Sequence, residues 1–344
     1  MSAITYTDRL KENLAGRVRP APASQAGQEG NAVIVGQRAQ VGQRALIGKR
    51  ALIGKRAQAS ESPLVHIHGF LIRLWNTDPL LTGTGLFLLA LLVPSSLGIW
   101  LDPREITGAP AWLKPVKFTL STSIYTLTLA WVFSYLPDWP RTRRIVGRAT
   151  AVVMLLEVAI IDLQAARGTT SHFNVSTLLD GILFTVMGIG IFTQTFASIA
   201  VAAALWRQPF ADRAMGWALR LGMTITIVGG FSGGLMTGPT KAQLVQAKAT
   251  QRLLLAGAHT VGAPDGGPGL PVTGWSTRHG DLRVPHFVGL HALQALPLLT
   301  LVFLRRRNET SRTRLALAAA AIYALVFVAL LIQALIGSPL VAIG

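Results

Sequence analysis

Residues 314–337 read RLALAAAAIYALVFVALLIQALIG, and after Arg314 the stretch contains no charged side chain. A helix that crosses a bilayer needs about 20 consecutive, mostly apolar residues, so this stretch predicts a membrane span. Seven segments qualify in all: 80–101, 116–136, 147–166, 179–205, 215–237, 285–304 and 315–337. The sequence therefore predicts an all-α, polytopic membrane bundle of about seven helices.

The composition excludes several other classes of protein. Of the 344 residues, 51% are hydrophobic and 14% are charged, whereas soluble domains carry about 25% charged residues. A net charge of +17 is compatible with nucleic-acid binding, but the cations lie in short segments between apolar runs and few aromatic residues accompany them. Nucleic acid is therefore excluded as a partner, while membrane lipid is expected. The absence of cysteine excludes disulfides and thiolate metal sites.

The N-terminal region is predicted to add nothing to the bundle. Residues 35–58 form four hexapeptides, VGQRAQ, VGQRAL, IGKRAL and IGKRAQ. Four units are too few for a stable β-helix, so residues 1–63 are interpreted as a disordered basic tail that could touch anionic lipid. No apolar signal segment is recognisable in it. Residues 64–78 follow as an interfacial amphipathic segment, and 79–344 form the seven-helix domain with a long outer loop at 238–284.

The distribution of Lys and Arg predicts the orientation, because cytoplasmic loops carry an excess of these residues. Ten precede residue 64. The other cation-rich connections fall on the same side if the spans alternate, and their arginines are Arg141, Arg143, Arg144, Arg148, Arg207, Arg213, Arg220, Arg305, Arg306, Arg307, Arg312 and Arg314. The N-terminus is predicted to be cytoplasmic and the C-terminus outside. Residues 228–236, VGGFSGGLM, contain overlapping small-xxx-small pairs that predict close helix packing.

Unusual polar residues gather toward the predicted outer leaflet, where ionisable groups inside spans are functional hypotheses by default. The third span supplies Glu157, Asp162, Gln164 and Arg167. Glu157 and Gln164 share a helix face, whereas Asp162 points about 140° away from Glu157. Two interpretations stay open for this set, a proton relay and a structural polar network, and Arg167 is also a candidate for substrate binding.

The second span opens with WLKPVKF, which puts Lys114 and Lys117 at its outer end. This position opposes the positive-inside bias and sets cations at the positive end of the helix dipole. The lysines therefore either snorkel to lipid phosphate or hold an anionic substrate group.

The outer connections supply the remaining candidates. SHFNVSTLLDG contributes Ser171, His172, Asn174 and Asp180, of which Asn174 is a substrate-binding candidate. In the long connection, residues 239–255 are predicted to form an amphipathic surface helix with Pro239 at its first position. The Gly/Pro-rich remainder, which includes His259, is predicted to form a lid.

Three histidines fall in GWSTRHGDLRVPHFVGLH at 274–291. Pro285 is expected at the first position of the sixth span, with His286 in the first turn. On a continuous helix, His286 and His291 are rotated by about 140° and cannot readily chelate one ion together, whereas His291 and Gln294 share a face. His279 lies in the loop and is the weakest candidate.

A metal site is predicted from the ligand inventory alone. His172, His259, His286 and His291 are the candidate ligands for zinc, iron or copper. Haem held by two histidines is disfavoured because only His291 lies clearly within a span. The opposing interpretation is that these are ordinary interfacial histidines.

WLKPVKF, DLQAARGTTSHFN and DGGPGLPVTGWSTRHGDLRVPHFVGLHALQ together resemble uncharacterised multi-pass membrane proteins of bacteria over about residues 80–340. The resemblance implies the bacterial cytoplasmic membrane but no activity. The seven-span hydrolases of the alkaline ceramidase and progestin-receptor superfamily offer a chemical analogy, since they use Ser, Asp and three His around zinc. Here Ser171, His172 and Asp180 are present, but His286 and His291 have the wrong spacing and lie on the opposite side of the membrane.

Three functions stay open. The first is a membrane-embedded enzyme, either metal-dependent or metal-independent, that acts on a lipid or another amphiphile. His172 or His286 would be base or ligand, Asp180 would be ligand or orienting group, and Lys114 or Lys117 would hold an anionic headgroup. The second is a proton-coupled transporter that uses Glu157 and Asp162, and the third is a sensory or assembly protein. No channel filter is recognisable, and the seventh span lacks a lysine for retinal.

Overall fold

The computed structural model describes residues 63–343. Of the predicted basic tail over 1–63, residues 1–62, which include the hexapeptides, lie outside the described residues. The described residues from His68 onward form one compact unit, and the features described below belong to it, apart from residues 63–67.

The first described helix, α1 (Pro63–Thr77), covers the segment predicted to be interfacial. Leu74 is buried in the core whereas Trp75 is half exposed. The chain then turns directly into α2 (Pro79–Leu101), because the Asp78 carboxylate accepts the backbone N–H of Leu81 at 2.9 Å and Pro79 fits the first helical position.

The remaining elements of the described chain are α3 (Leu113–Phe133), α4 (Pro140–Ala166), α5 (Leu178–Arg207), α6 (Arg213–Ser232) with a 3₁₀ turn at Gly233–Met236, α7 (Lys241–Thr250), α8 (Arg283–Leu290), α9 (Ala292–Val302) and α10 (Glu309–Leu335). Two short antiparallel strand pairs accompany them: β1 (Glu105–Ile106) with β2 (Ala109–Pro110), and β3 (Thr260–Val261) with β4 (Gly280–Asp281).

The described part of the chain is a mostly helical bundle with several helices suited to a membrane. Five helical segments are long and apolar enough to cross one, and they contain α2, α4, α5, α6 and α10. A sixth is obtained if α8 and α9, which meet at an angle of 47°, count as one broken span. The predicted all-α membrane-type bundle is thus supported, with five or six apolar spans.

The second predicted span, at 116–136, corresponds to α3, which is not among these segments. Its hydroxyl-bearing residues reduce its apolar character, and Thr119, Ser123 and Thr126 are buried against its neighbours. Ser123 donates a hydrogen bond to the carbonyl of Gly85 on α2 at 2.8 Å. The helix exists as predicted, but its polar face serves contact with other helices.

Because successive helices run in opposite directions, the connections between them fall into two groups. Connections 102–112, 167–177 and 237–282 meet at one end of the bundle, called here the loop end. The short connections 134–139, 208–212 and 303–308 belong to the opposite end, called here the arginine end. The largest buried apolar cluster belongs to the arginine end, where α3, α5 and α6 contribute Leu129, Phe133, Val201, Leu205, Met215 and Leu219.

Close packing of α6 against α8 depends on glycine, as the small-xxx-small spacing predicts. A Cβ on Gly229 would lie 2.5 Å from the carbonyl carbon of Gly289, so the two backbones are in direct contact. Gly233 leaves room for the His286 ring, since its Cβ would lie 2.8 Å from Cε1 of that histidine. The glycines therefore fix the position of a candidate functional side chain.

Candidate functional site

The loop-end connections bind one another through their backbones. The N–H of Val175 donates to the carbonyl of Leu254 at 3.0 Å, and the N–H of Ala256 donates to Phe173 at 2.8 Å. The predicted surface helix at 239–255 is shorter, α7 (Lys241–Thr250), because Thr240 and Gln243 form a capping box that starts it after Pro239. These contacts order the lid over residues that the sequence singled out.

His259 is paired with Asp265 in the lid. Its Nδ1 lies 2.7 Å from Oδ2 of Asp265, and the backbone N–H groups of His259 and Thr260 donate to the same carboxylate at 2.9–3.0 Å. Burial alone would raise the pKa of Asp265, but the hydrogen bonds from His259 hold that pKa well below its ordinary range. A carboxylate at Nδ1 fixes the ring and leaves Nε2 as the free nitrogen.

Burial is the main cause of the lowered pKa of the His259 imidazole, and it outweighs the opposing effect of Asp265. The ring centroid lies 4.8 Å from that of Phe173. His259 is therefore an oriented, predominantly neutral imidazole at neutral pH, which is the form that accepts a proton.

His286 is oriented in a similar way at the start of α8. Its Nδ1 lies 2.7 Å from the carbonyl oxygen of Gly229 on α6. Because a carbonyl can only accept a hydrogen bond, Nδ1 carries the proton and Nε2 is the unprotonated nitrogen. Pro285 is the third residue of α8 rather than the first, since the helix begins at Arg283.

His172 completes the group of three histidines. Its Nδ1 lies 3.1 Å from Oγ of Ser171, and its ring packs 5.5 Å from Phe118. Burial lowers the pKa of His172 well below 6.5, and the protonated forms of Lys114, His259 and His286 act in the same direction. These electrostatic interactions connect His172, His259, His286 and Lys114, which we call the loop-end cluster.

Lys114, which lies near His172, and Glu157 are ionisable side chains without an ion-pair partner in residues 63–343. The Lys114 ammonium lies 5.6 Å from the Phe118 ring centroid and interacts electrostatically with Glu157. Glu157 is only 3% exposed. Neither side chain forms a hydrogen bond or an ion pair with any residue in the part of the chain that the structure describes. Lys117 differs, because it donates to the carbonyls of Val272 and Thr273 at 3.2 Å.

Asp180, predicted as a catalytic candidate, takes part in a separate hydrogen-bonded network. It accepts bonds from Gln164 at 2.9 Å and Arg167 at 2.6 Å, and its backbone N–H is capped by Thr177. Arg167 also contacts Gln164. This geometry is that of a polar network that joins α4 to α5, one of the two interpretations that the sequence left open.

The interactions of Asn174 and Asp162 also do not involve the loop-end cluster. Asn174 closes its own turn, with its Oδ1 accepting from the backbone and hydroxyl of Ser176. One carboxylate oxygen of Asp162 is buried and has no hydrogen-bond partner among residues 63–343. Its interactions do not include Glu157, with which it was paired in the transport hypothesis.

His291 lies at the break between α8 and α9, with its ring 4.3 Å from that of Phe287. The rotation expected on a continuous helix therefore does not apply to His286 and His291. Among the described residues, no three His, Asp or Glu side chains converge closely enough to hold a metal ion. The geometry thus gives no support to the metal set of His172, His259, His286 and His291.

Sequence reasoning missed Asp265, the partner of His259. The only signal was an acidic residue in the turn APDGGPG six positions after a histidine. It also missed that Arg283 is paired with the buried Asp281, with N–O distances of 2.6 and 2.9 Å. No protein-family model, curated protein or solved structure matches this chain.

Proposed function

We propose that this chain is a seven-span integral membrane enzyme, with α3 as the additional span and the loop end on the outer side of a bacterial cytoplasmic membrane. Two features support this orientation. The arginine end carries Arg305, Arg306 and Arg307 in a single short connection, and cytoplasmic connections favour such clusters. The N-terminus is then cytoplasmic and the C-terminus outside.

The proposed substrate is an amphiphile with an anionic headgroup. Lys114 supports this choice, because a half-buried cation with no ion-pair partner in residues 63–343 favours an anion beside it. The fatty chain of such a substrate can stay in the bilayer while the headgroup reaches the cluster. The loop end would therefore work at the membrane surface.

The proposed reaction is general-base attack on an ester bond of the headgroup. Nε2 of His259 removes a proton from water or from an acceptor hydroxyl, and the resulting oxygen nucleophile attacks the ester centre. The same proton is then returned to the departing oxygen, so that the base is regenerated. Asp265 orients His259 and stabilises its protonated form, as the carboxylate does in catalytic triads.

The single observation that carries this proposal is the 2.7 Å contact between His259 and Asp265, beside neutral His172 and unpaired Lys114. The test uses the full chain in nanodiscs that contain phosphatidylethanolamine and phosphatidylglycerol, with products followed by mass spectrometry. Asp265→Asn is expected to reduce turnover about a hundredfold or more, the usual contribution of acid–base catalysis.

Glu105→Gln is the matched control, since Glu105 is an exposed carboxylate at the same end of the bundle. It is expected to leave turnover unchanged. Absence of any lipid product from the wild-type chain, or an equal loss in both variants, would contradict the enzyme proposal.

Proton-coupled transport is the second candidate, and two observations favour it. Glu157 is a buried, unpaired carboxylate within α4, and α8 and α9 form a broken span with a 47° bend. Broken helices and buried acids are common at transporter sites. Under this hypothesis Glu157→Gln abolishes proton-coupled uptake of a headgroup analogue into proteoliposomes. In the enzyme proposal, the same variant keeps lipid turnover measurable.

A further inference from the structure

A cavity of about 390 Å³ lies within the long loop, next to the first residue of α8. Its walls include Asp265, Gly266, Gly267, Arg278, His279 and Arg283. Pockets that bind small molecules commonly enclose about 300–1,000 Å³, so this space can admit a small polar group. We call it the lid cavity.

The charged groups on the cavity wall differ in whether they already have hydrogen-bond partners. The Asp265 carboxylate is occupied by His259 and by three backbone N–H contacts. The Arg283 guanidinium is occupied by Asp281 and by the carbonyl of Gly274 at 2.6 Å. Both of these lining groups therefore already have hydrogen-bond partners within the lid.

Arg278 and His279 are the available groups. Neither side chain forms a hydrogen bond or ion pair with any residue from 63 to 343, although their backbone N–H groups donate to Oγ of Ser276. Arg278 is exposed and carries a permanent charge. The cavity therefore presents one uncompensated guanidinium and one free imidazole, and no free carboxylate among its described walls.

We infer that the lid cavity binds a phosphate-bearing ligand, with Arg278 as its principal anchor and His279 as a second hydrogen-bonding group. A guanidinium matches two phosphate oxygens at once. A ligand can also approach the backbone closely at Gly266 and Gly274, which lack a Cβ and have positive φ values of 93° and 68°. His279, the weakest histidine candidate from sequence, thus gains a specific role.

This inference deepens the proposed function, since Asp265 belongs both to the cavity wall and to the His259 pair. A phosphate headgroup held there lies beside the proposed base. Binding itself requires no turnover, however, so the two proposals can fail separately.

The test measures binding to the full chain in phosphatidylcholine nanodiscs. One arm titrates glycerol 3-phosphate by calorimetry, and the other counts retained phosphatidylglycerol by native mass spectrometry. Binding in the first arm identifies a soluble phosphate ester, and binding in the second alone identifies a lipid headgroup. In the arm that binds, Arg278→Gln is expected to weaken affinity about tenfold, the usual loss for a charge-assisted hydrogen bond.

Arg252→Gln is the matched control, because Arg252 is an exposed arginine of the same loop that does not line the cavity. It is expected to bind like the wild type. The inference is overturned if neither probe binds the wild type, or if both arginine variants lose the same affinity. The Asp265→Asn experiment does not depend on this outcome, because it measures lipid turnover and not ligand binding.

Discussion

The two ends of the bundle differ in the contacts that their buried and half-buried ionisable side chains make. At the arginine end, Arg220 donates to the carbonyls of Leu205 and Gln208 at 3.0 and 2.8 Å. Its guanidinium also lies 5.2–5.9 Å from the ring centroids of Trp206, Phe210 and Trp217. Arg312 pairs with Asp212 at 2.7 Å. These contacts join neighbouring helices, so Arg220 and Arg312 have a structural role.

At the loop end, Lys114 and Glu157 have no hydrogen-bond or ion-pair partner within residues 63–343, and His259 and His286 are each oriented through Nδ1. Burying an ionisable group without a partner costs free energy of folding, whether the group keeps its charge or loses it. Side chains that are retained at such a cost are typical of functional sites. The comparison therefore separates Lys114 and Glu157, which have no hydrogen-bond or ion-pair partner within residues 63–343, from paired groups at either end, such as Arg167–Asp180 and Arg312–Asp212, which join helices.

The largest effect on stability is expected at Gly229, because its contact with Gly289 holds α6 against α8, the helix that carries His286. Gly229→Ala would insert a methyl group against the Gly289 backbone, which cannot move aside as a side chain can. We expect a loss of about 3 kcal/mol or more in the free energy of unfolding, as for severe overpacking, together with displacement of His286. Thermal unfolding and turnover measure the two effects.

Gly188→Ala is the control for that substitution, since a Cβ there meets no atom within 4 Å. It should be neutral or slightly stabilising, because alanine favours helices over glycine. Equal melting temperatures for the two variants would show that the α6–α8 contact is looser than described.

The next effect concerns the arginine end. Arg220→Met removes two hydrogen bonds to backbone carbonyls and the aromatic contacts of the guanidinium. We expect a loss of about 2 kcal/mol of stability, with lipid turnover per folded molecule unchanged. Circular dichroism melting and a turnover assay normalised to folded protein check this. A selective loss of turnover would contradict the structural assignment of this end.

A smaller effect is expected from pH. The pKa of His172 is below its ordinary value of 6.5, so the unfolded chain takes up a proton there first as pH falls. Its titration therefore costs no stability above pH 6.5, where His172 is neutral in both the folded and the unfolded chain, and stability declines between pH 6.5 and the lowered pKa. The decline of melting temperature over this interval should be shallower in His172→Gln. Identical slopes would show that His172 is not a buried neutral imidazole.

Much of the helical framework was predictable because it depends on patterns along the chain. The apolar run at 315–337 became α10 (Glu309–Leu335). The break at His291 was not predictable, since its backbone groups are satisfied from another helix: Thr226 on α6 accepts from Leu293 at 3.1 Å and donates to Leu290 at 3.3 Å.

The site was predicted only in part, for a related reason. His172, His286 and Lys114 were identifiable as polar residues near predicted helix ends. The His259–Asp265 pair depends on the path of a turn in which Gly262 and Gly266 have φ values of 88° and 93°. Hydrophobic periodicity carries no information on such a path, so a single sequence does not connect the two residues.

The central claim, that the loop end retains unpaired charge for a ligand, is tested most directly by the thermal unfolding of Lys114→Met in detergent without added lipid. Removal of a cation that has no hydrogen-bond or ion-pair partner among residues 63–343 should raise the melting temperature by a few degrees, equivalent to about 1 kcal/mol, while lipid turnover is lost. A lower melting temperature, like that expected for Arg220→Met, would show that Lys114 is a structural residue and would contradict the account.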